Sequence, residues 1–160
     1  MFAPDTTAFL EGGCSLIVGT VGADGLPTAT RAWGLTVLSR STGECRLVLD
    51  DTADRTRADL AATGAIAVTA ADVPTLHSIQ LKGVMVGMEP ATDTDRDRAA
   101  EYADSFFGDI NRTDGTELAV LFRLFPAEFF VCVVRFAELY DQTPGPAAGG
   151  AIAVSGSSTV

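Results

Sequence analysis

The sequence predicts a mostly β protein, folded as a Greek-key-like β-barrel with flanking helices, and two observations support this fold class. Short apolar, β-branched segments recur along the chain and are bounded by glycine, proline and aspartate turns. After a short N-terminal helix, helical patterns appear only in the middle and late in the chain, an order that does not fit repeated βαβ units. At 160 residues, 47% of them hydrophobic, the chain has the size of one packed domain.

A helix, a hairpin and a third strand are expected in the first fifty residues. Residues 5–10 have the pattern of a short helix. Residues 15–21 are apolar and β-branched, and the turn at residues 22–25 contains amino acids that tolerate positive φ. Pro27 lacks an N–H group and therefore marks the first residue of the second strand. Residues 45–49 form the third strand.

Two helices and four further strands are expected after residue 50. In chain order they are a helix over 52–63, strands over 65–70 and 78–88, a helix that starts at Thr94, and strands over 118–125 and 128–139. Thr52 or Asp54 is expected to cap the first of these helices, and Gly64 to end it. Because the composition changes after Tyr140, the barrel is assigned to residues 1–142. A Gly-, Pro-, Ala- and Ser-rich tail or arm follows at residues 143–160.

The charge balance and the rare residues exclude several classes of function. The net charge is −10 and Lys82 is the single lysine, so nucleic acid and anionic membranes are not expected as partners. One histidine, His77, excludes zinc sites built on two or three histidines. Three scattered cysteines fit reduced thiols in a cytoplasmic protein, with no export signal and no membrane-spanning segment.

Three places carry candidate binding residues, and the first is the second strand. Arg31 lies there beside Ala32 and Trp33, which combines a cation with a flat ring. Such a set suits a ligand that has an apolar ring and polar edges. The alternative is a surface arginine that happens to follow a core tryptophan.

The second candidate is the start of the helix over residues 52–63. Arg55 and Thr56 lie where exposed N–H groups, a guanidinium and a hydroxyl can bind a phosphate. Three nearby aspartates, Asp50, Asp51 and Asp54, favour the alternative of a solvated, self-neutralising helix cap.

The third candidate is the strand over residues 78–88. Ser78, Gln80 and Lys82 point to one face of this strand, whereas Ile79 and Leu81 point to the other. A polar row of this kind suits the N–H and C=O edge of a heterocycle. An exposed strand face explains the same pattern.

The order of these pieces resembles the pyridoxamine 5′-phosphate oxidase-like family of FMN-binding split barrels, over roughly residues 8–140. The segments that carry the likeness are Phe9-Leu10, Gly19-Thr20-Val21-Gly22-Ala23-Asp24-Gly25-Leu26-Pro27, the helix start from Arg55 to Leu60, and the strand from Ser78 to Gly83. The resemblance implies a split-barrel homodimer with FMN at the subunit interface. It also implies a flavin-dependent oxidoreductase that acts on an unknown small substrate.

The resemblance also implies a role for each candidate position. The residues implied to contact FMN are Arg31, Ala32 and Trp33 beside the ring, Asp50 after the third strand, Arg55 and Thr56 at the phosphate, and Ser78 and Gln80 at the ring or ribityl chain. No catalytic acid or base and no metal ligand is assigned.

Some positions depart from the family pattern. Thr56 stands where many relatives carry lysine, Asp54 where they often carry serine, and Arg31 lies one residue later than the usual arginine. The chain end lacks the arginine and histidine that bind substrate in the oxidase itself, so pyridoxamine phosphate oxidation is not expected.

Two alternatives to a flavin enzyme follow from the same residues. One is a non-catalytic module that binds a flavin or haem, with His77 as the natural axial ligand of haem. The other is a dimeric barrel that has lost its cofactor, which the acidic cluster at the helix start favours.

Overall fold

The computed structural model describes residues 1–153, which form one closed antiparallel barrel with helices packed around it. The strands of this part of the chain are β1 (Ser15–Val21), β2 (Pro27–Ser39), β3 (Glu44–Asp50), β4 (Ala65–Ala71), β5 (Ser78–Pro90) and β6 (Phe129–Asp141). The helices are α1 (Pro4–Glu11), α2 (Asp54–Thr63), α3 (Asp93–Asp114) and α4 (Leu118–Leu121), and a single 3-10 turn covers Phe122–Leu124. The predicted fold class is confirmed.

The strands follow one another around the barrel in the order β1-β2-β3-β6-β5-β4, and β4 pairs back onto β1. β6 therefore inserts between β3 and β5, which makes the topology Greek-key-like rather than a simple meander. Every pairing is antiparallel. Closure leaves no long open sheet edge in the barrel wall.

Side chains alternate between the barrel interior and its outer face. In β1, Leu16 and Val18 are fully buried, whereas Ile17 between them is 39% exposed. β4 repeats the pattern with Val68 inside, and β5 with Leu81 inside and Lys82 exposed. This period of two residues is what the sequence predicts for half-buried strands.

Gly34 bends β2 and lets α3 approach the barrel. Its φ is 144°, and a Cβ at this position would lie 3.3 Å from the Cγ of Arg98 in α3. The register between β2 and β3 shifts at the same point, between Ala32 and Leu35. Arg98 donates from Nε to the carbonyl oxygen of Leu35 at 3.3 Å. The contact brings the aromatic face of α3 against Trp33.

The start of α3 is fixed by an ion pair. The Arg46 guanidinium donates from Nε and Nη2 to the two carboxylate oxygens of Asp95, at 2.7 and 2.9 Å. Thr92 caps the helix and shares a capping box with Asp95. The helix begins at Asp93, one residue before the predicted Thr94. Arg46 is the main reason that the pKa of Asp95 lies well below its usual range.

Residues 118–125 are not a strand, so the prediction for this segment was wrong. They form α4 and the 3-10 turn. Leu118, Leu121, Phe122 and Phe125 recur at the spacing of one helix face, and short apolar runs are ambiguous between strand and helix. Phe122 packs on Phe107 with ring centroids 5.0 Å apart.

The caps predicted for α2 are also corrected. The residue at the N-cap is Ala53, and its side chain makes no capping hydrogen bond. Thr52 instead donates from its backbone N and its hydroxyl to Oδ1 of Asp50, at 2.9 and 2.8 Å. Gly64 ends the helix in the left-handed conformation with φ 68°, as expected.

The first part of the predicted C-terminal arm folds back on its own barrel. Asp141 and Gly150 share a backbone hydrogen bond of 2.9 Å, and Ile152 donates to Leu139 at 2.8 Å. Thr143 accepts a hydrogen bond from the backbone N of Ser78 at 3.1 Å. Residues 154–160 of the predicted arm lie outside the described residues.

We expect Asp95→Asn to lower the free energy of unfolding by about 3 kcal/mol at neutral pH, because it breaks a buried ion pair. A depressed folded-state pKa stabilises the fold above the unfolded value near 3.9, and this contribution is lost as the pH falls. The difference between variant and wild type should therefore shrink below about pH 4. Urea titrations at several pH values measure it.

Asp97→Asn is the matched control, because Asp97 lies exposed on the same helix. It should change the free energy of unfolding by less than about 0.5 kcal/mol. Equal effects of the two variants would contradict the stabilising role of the Arg46–Asp95 pair.

Candidate functional site

A cleft of about 290 Å³ opens beside the second strand, between the barrel wall and the aromatic face of α3. We call it the Arg31 cleft. Its lining residues are Thr30, Arg31, Trp33, Asp50, Phe106, Phe107, Ile110, Leu121 and Leu124. Most of the wall is apolar or aromatic, and one cation and one carboxylate lie within it. This combination is typical of sites for small organic ligands, although the volume is near the lower end of their ~300–1,000 Å³ range.

The two charged residues of the cleft lie on adjacent strands. Ala32 of β2 pairs with Leu49 of β3, so Arg31 and Asp50 are the next residues along the same antiparallel ladder. The guanidinium carbon of Arg31 lies 4.8 Å from the centroid of the Phe106 ring. Its Nη1 donates to the hydroxyl of Ser15 at 3.3 Å. The cleft therefore presents the hydrogen-bond donors of Arg31 beside the carboxylate acceptor of Asp50.

Trp33 forms a rigid wall of the cleft. The indole is 5% exposed and meets the rings of Tyr102, Phe107 and Phe125 edge-on. Ala32, the predicted neighbour of the ligand ring, is fully buried in the barrel core and can contribute only its backbone. Perpendicular ring contacts of this kind hold an indole in one orientation.

Arg55 lies away from the Arg31 cleft, in a clamp of two carboxylates. Its Nε donates to Oδ1 of Asp59 at 2.9 Å, and its Nη2 donates to both oxygens of Asp24 at 2.9 and 2.8 Å. Asp59 is one turn closer to the C-terminus of α2, so the guanidinium lies over the second turn rather than beside the N–H groups that start the helix. The hydrogen bond from Arg55 holds the pKa of Asp24 below its ordinary value.

Asp59 explains why the clamp is stable. Its side chain is 2% exposed, and besides Arg55 it accepts a hydrogen bond from the hydroxyl of Thr20 at 3.0 Å. A buried carboxylate needs a cation and donors to offset its lost hydration. Arg55 therefore serves as the counterion of Asp59.

The other residues at the start of α2 are also buried or ion-paired. Thr56 is 2% exposed, so its hydroxyl is not presented to a ligand. Arg57 pairs with Asp51 at 2.7 Å and lies over the ring of Phe130, with its guanidinium carbon 4.0 Å from the centroid. The start of α2 therefore matches the alternative stated for it, a helix cap in which acidic and basic side chains neutralise one another.

Gln80 lies on the outer face of the barrel, and Ser78 lies at the start of the same strand. The outward row Arg31, Ile17, Thr69, Gln80 and Tyr140 crosses β2, β1, β4, β5 and β6 as successive register partners. Gln80 donates from Nε2 to the hydroxyl of Thr69 at 3.2 Å. Ser78 is 8% exposed and donates from its hydroxyl to the Leu76 carbonyl at 2.8 Å.

The structure thus brings only part of the predicted set together. Arg31, Trp33 and Asp50 share one cleft, with Ala32 behind them. Gln80 lies three strand spacings from Arg31, about 14 Å across the sheet. Thr56 and Ser78 are buried, and Arg55 belongs to a separate ion-paired cluster.

Sequence reasoning missed the aromatic and aliphatic residues that complete the cleft. Phe106 and Phe107 are buried residues of α3, and no binding role was expected for them. Leu121 and Leu124 lie in the segment expected to be a strand. The helical spacing of residues 118–125 is the signal that would have placed them beside α3.

His77 and the three cysteines do not line the Arg31 cleft. Nδ1 of His77 is 3.1 Å from the hydroxyl of Thr143, and the ring packs edge-on against Phe9. It lines neither the Arg31 cleft nor the larger groove described below. Burial raises the pKa of Cys14, Cys45 and Cys132 to about 12, which keeps these thiols protonated.

A shallow groove of about 590 Å³ runs across the outer face of the barrel. We call it the barrel groove. Its lining residues are Gly19, Thr20, Val21, Pro27, Ala65, Ile66, Ala67, Lys82, Gly83, Val84, Arg135, Ala137 and Glu138. Ile17 and Val86 flank it and are 39% and 52% exposed. Small side chains make this face flat and largely apolar.

Residues 1–153 contain no helix of the length and hydropathy needed to cross a bilayer. The same residues hold no group of three or more His, Cys, Asp or Glu side chains arranged to bind a metal ion.

The fold is that of several solved structures. HupZ from Group A Streptococcus aligns with 93% of this chain and 100% of its own, at 15% identity and a TM-score of 0.56. A protein proposed to be a pyridoxamine 5′-phosphate oxidase, from Lactobacillus delbrueckii, aligns over 87% and 93%, at 18% identity and 0.55. An FMN-binding protein from Syntrophomonas wolfei aligns over 83% and 80%, at 12% identity and 0.51.

These likenesses establish a split barrel of the pyridoxamine 5′-phosphate oxidase-like type. No family model and no curated protein sequence matches the chain. At such low identity the likeness defines the fold, and the cofactor and activity have to be argued from the site itself.

We expect Arg55→Ala to destabilise the protein in the absence of any ligand. The variant leaves the carboxylate of Asp59, which is 2% exposed, with the Thr20 hydroxyl as its remaining side-chain donor. An unsatisfied buried acceptor of this kind costs about 1–3 kcal/mol of folding free energy. The midpoint of urea unfolding measures the loss.

Arg40→Ala is the control for this experiment, because Arg40 is an exposed arginine in the β2–β3 turn. It should leave the midpoint nearly unchanged. A midpoint for Arg55→Ala equal to that of the control would show that Arg55 is not the counterion of Asp59.

Proposed function

We propose that this protein is a homodimeric flavin-binding oxidoreductase that holds the isoalloxazine ring in the Arg31 cleft and acts on a small substrate. The observation that carries the proposal is the cleft itself, in which the rigid indole of Trp33 lies with Arg31 and Asp50. The shared fold supports it, since the S. wolfei protein is named for binding FMN. The same cofactor is the one implied by the resemblance in the sequence.

The residues of the cleft suit an isoalloxazine ring. Trp33, Phe106 and Phe107 supply flat apolar walls, which suit stacking and edge-on contacts with a planar heterocycle. Arg31 supplies N–H donors and a positive charge for the carbonyl edge of the ring. Asp50, the last residue of β3, supplies an acceptor for a hydroxyl of the ribityl chain. A bound isoalloxazine provides the electron and hydride transfer, while the protein provides orientation and charge.

The predicted phosphate contacts do not suit FMN as they stand. Arg55 neutralises Asp24 and Asp59, and Thr56 is buried. This observation favours, as a second candidate, a barrel dimer without a cofactor. The haem alternative has less support, because His77 lies outside both the Arg31 cleft and the barrel groove.

Flavin binding can be tested directly because Trp33 is the only tryptophan. Titration with a flavin should quench Trp33 fluorescence, since the ring would lie against the indole. Arg31→Ala should weaken flavin affinity by roughly tenfold, which corresponds to one charge-assisted hydrogen bond. Equilibrium dialysis gives the affinity independently of fluorescence.

Arg40→Ala is again the matched control and should bind flavin as the wild type does. A wild-type protein that neither quenches nor retains flavin in dialysis would refute the proposal and leave the cofactor-free dimer as the better account.

The homodimer is supported by the outer face of the barrel. Exposed apolar side chains there include Ile17, Val84 and Val86. Large apolar patches on soluble monomers usually mark interaction sites. The charged residues that line the barrel groove are Lys82, Arg135 and Glu138, and Arg135 is also paired with Glu44 at 3.1 Å.

Charge favours a second copy as the occupant of this face. The whole chain carries a net charge of −10, so two copies repel one another over most of their surface. The barrel groove is lined by two basic residues and one acidic residue, and it can therefore approach its equivalent at lower electrostatic cost. A contact of this kind would be related by a twofold axis.

Val84→Glu should convert the dimer to a monomer, because it places a carboxylate in the centre of the barrel groove. Light scattering coupled to size exclusion measures the mass. Leu38→Glu is the control, since Leu38 is 50% exposed and lies outside the groove. A wild type that runs as a monomer at micromolar concentration would refute the dimer.

A further inference from the structure

We infer that the ligand of the Arg31 cleft is a flavin whose side chain ends without a phosphate, as in riboflavin. This inference rests on the proposed flavin-binding function and specifies its ligand class. The evidence is the set of contacts around the start of α2, the place where a phosphate at the end of the ribityl chain was expected.

The first step concerns the cation that would bind the phosphate. Arg55 already makes three hydrogen bonds to Asp24 and Asp59, at 2.8 to 2.9 Å. Turning it toward a ligand would leave the buried carboxylate of Asp59 without its counterion. Asp24 would compete with the phosphate for the same N–H groups. Nε and Nη2 are therefore held by the two carboxylates, and the side chain, which is 51% exposed, can offer a phosphate only Nη1, with its charge already offset by Asp24 and Asp59.

The second step concerns the remaining charges. Arg57 is paired with Asp51 at 2.7 Å, so it does not offset Asp50 and Asp54. Asp54 is the first residue of α2, where its negative charge already interacts favourably with the helix terminus. A phosphate dianion at this position would meet the carboxylates of Asp50 and Asp54, and Arg31, which lies beside Asp50 in the cleft, offsets at most one of these two charges.

The third step concerns the cleft. Its volume of about 290 Å³ is near the lower limit for small-ligand sites. It suits the ring and leaves the side chain of the ligand at the mouth, beside Asp50. Hydroxyl groups of an uncharged polyol can donate hydrogen bonds to this carboxylate, whereas a phosphate would be repelled by it. The site thus favours a ligand whose own side chain is uncharged.

Riboflavin and FMN make the test simple, because they share the ring and the ribityl chain and differ only in the phosphate. Dissociation constants are measured for both by equilibrium dialysis in 0.05 M and 0.5 M NaCl. We expect riboflavin to bind about tenfold more tightly than FMN at low salt, as expected for repulsion by one or two nearby carboxylates. High salt should improve FMN binding and leave riboflavin binding unchanged.

A double variant, Asp24→Asn with Asp54→Ser, tests the cause. It removes one carboxylate from the Arg55 clamp and one from the start of α2, and both residues lie in exposed positions. FMN affinity should rise about tenfold while riboflavin affinity stays the same. Asp97→Asn with Asp104→Asn makes the same charge change at exposed positions of α3 and should alter neither affinity.

The possible results separate this inference from the proposal on which it rests. Tighter binding of FMN than of riboflavin at low salt would overturn the inference and support the flavin-binding function. Binding of neither compound would overturn the flavin-binding function, and the inference with it. An equal gain of FMN affinity in the control double variant would show that only net charge matters and would also overturn the inference.

Discussion

Closure of the barrel is the constraint on which the rest of the structure depends. Each strand hydrogen-bonds to a neighbour on both sides, so its residues must alternate strictly between the core and the outer face. Arg31 and Gln80 consequently point outward in one row, while Leu16, Val18 and Leu81 fill the interior. A slip of one residue in any strand would reverse these positions. The location of each candidate binding residue that lies on a strand follows from this register.

Much of the barrel can be read from the sequence because its signals are local. The predicted limits of β1 agree with the structure, and β4 and β5 differ only by one or two residues at their C-terminal ends. Alternation of apolar side chains, the turn before Pro27 and the stop at Gly64 all act within a few residues of one another. The prediction for residues 118–125 was wrong because a run of eight apolar-rich residues satisfies both a strand and a helix pattern. Packing against Phe107 and Trp33, which are distant in sequence, decides between them.

The candidate site was harder to predict because it depends on long-range partners. The cation and aromatic ring of β2 lie in one cleft, but the wall that faces them comes from α3 and α4. Arg55 shows the limit most clearly. Its position at a helix start is typical of a phosphate-binding residue, yet Asp24 lies 31 residues earlier in the chain. The spacing of residues in the sequence does not predict the contact between Arg55 and Asp24. This contact alone changes the role of the arginine.

The fold-back of residues 149–152 has a consequence for the wall of the barrel. β3 pairs with β6 only from Phe129 to Arg135, so the last third of β6 would expose its backbone on that side. Gly149, Gly150 and Ile152 supply hydrogen bonds to Leu139 and Asp141 there. Since these bonds use main-chain atoms, a segment of glycine and alanine can cover the exposed backbone of β6 as well as an apolar segment can. Proline is excluded at the two donor positions, and the φ of 87° at Gly149 favours glycine there, so this segment is constrained by its backbone conformation rather than by the packing of its side chains.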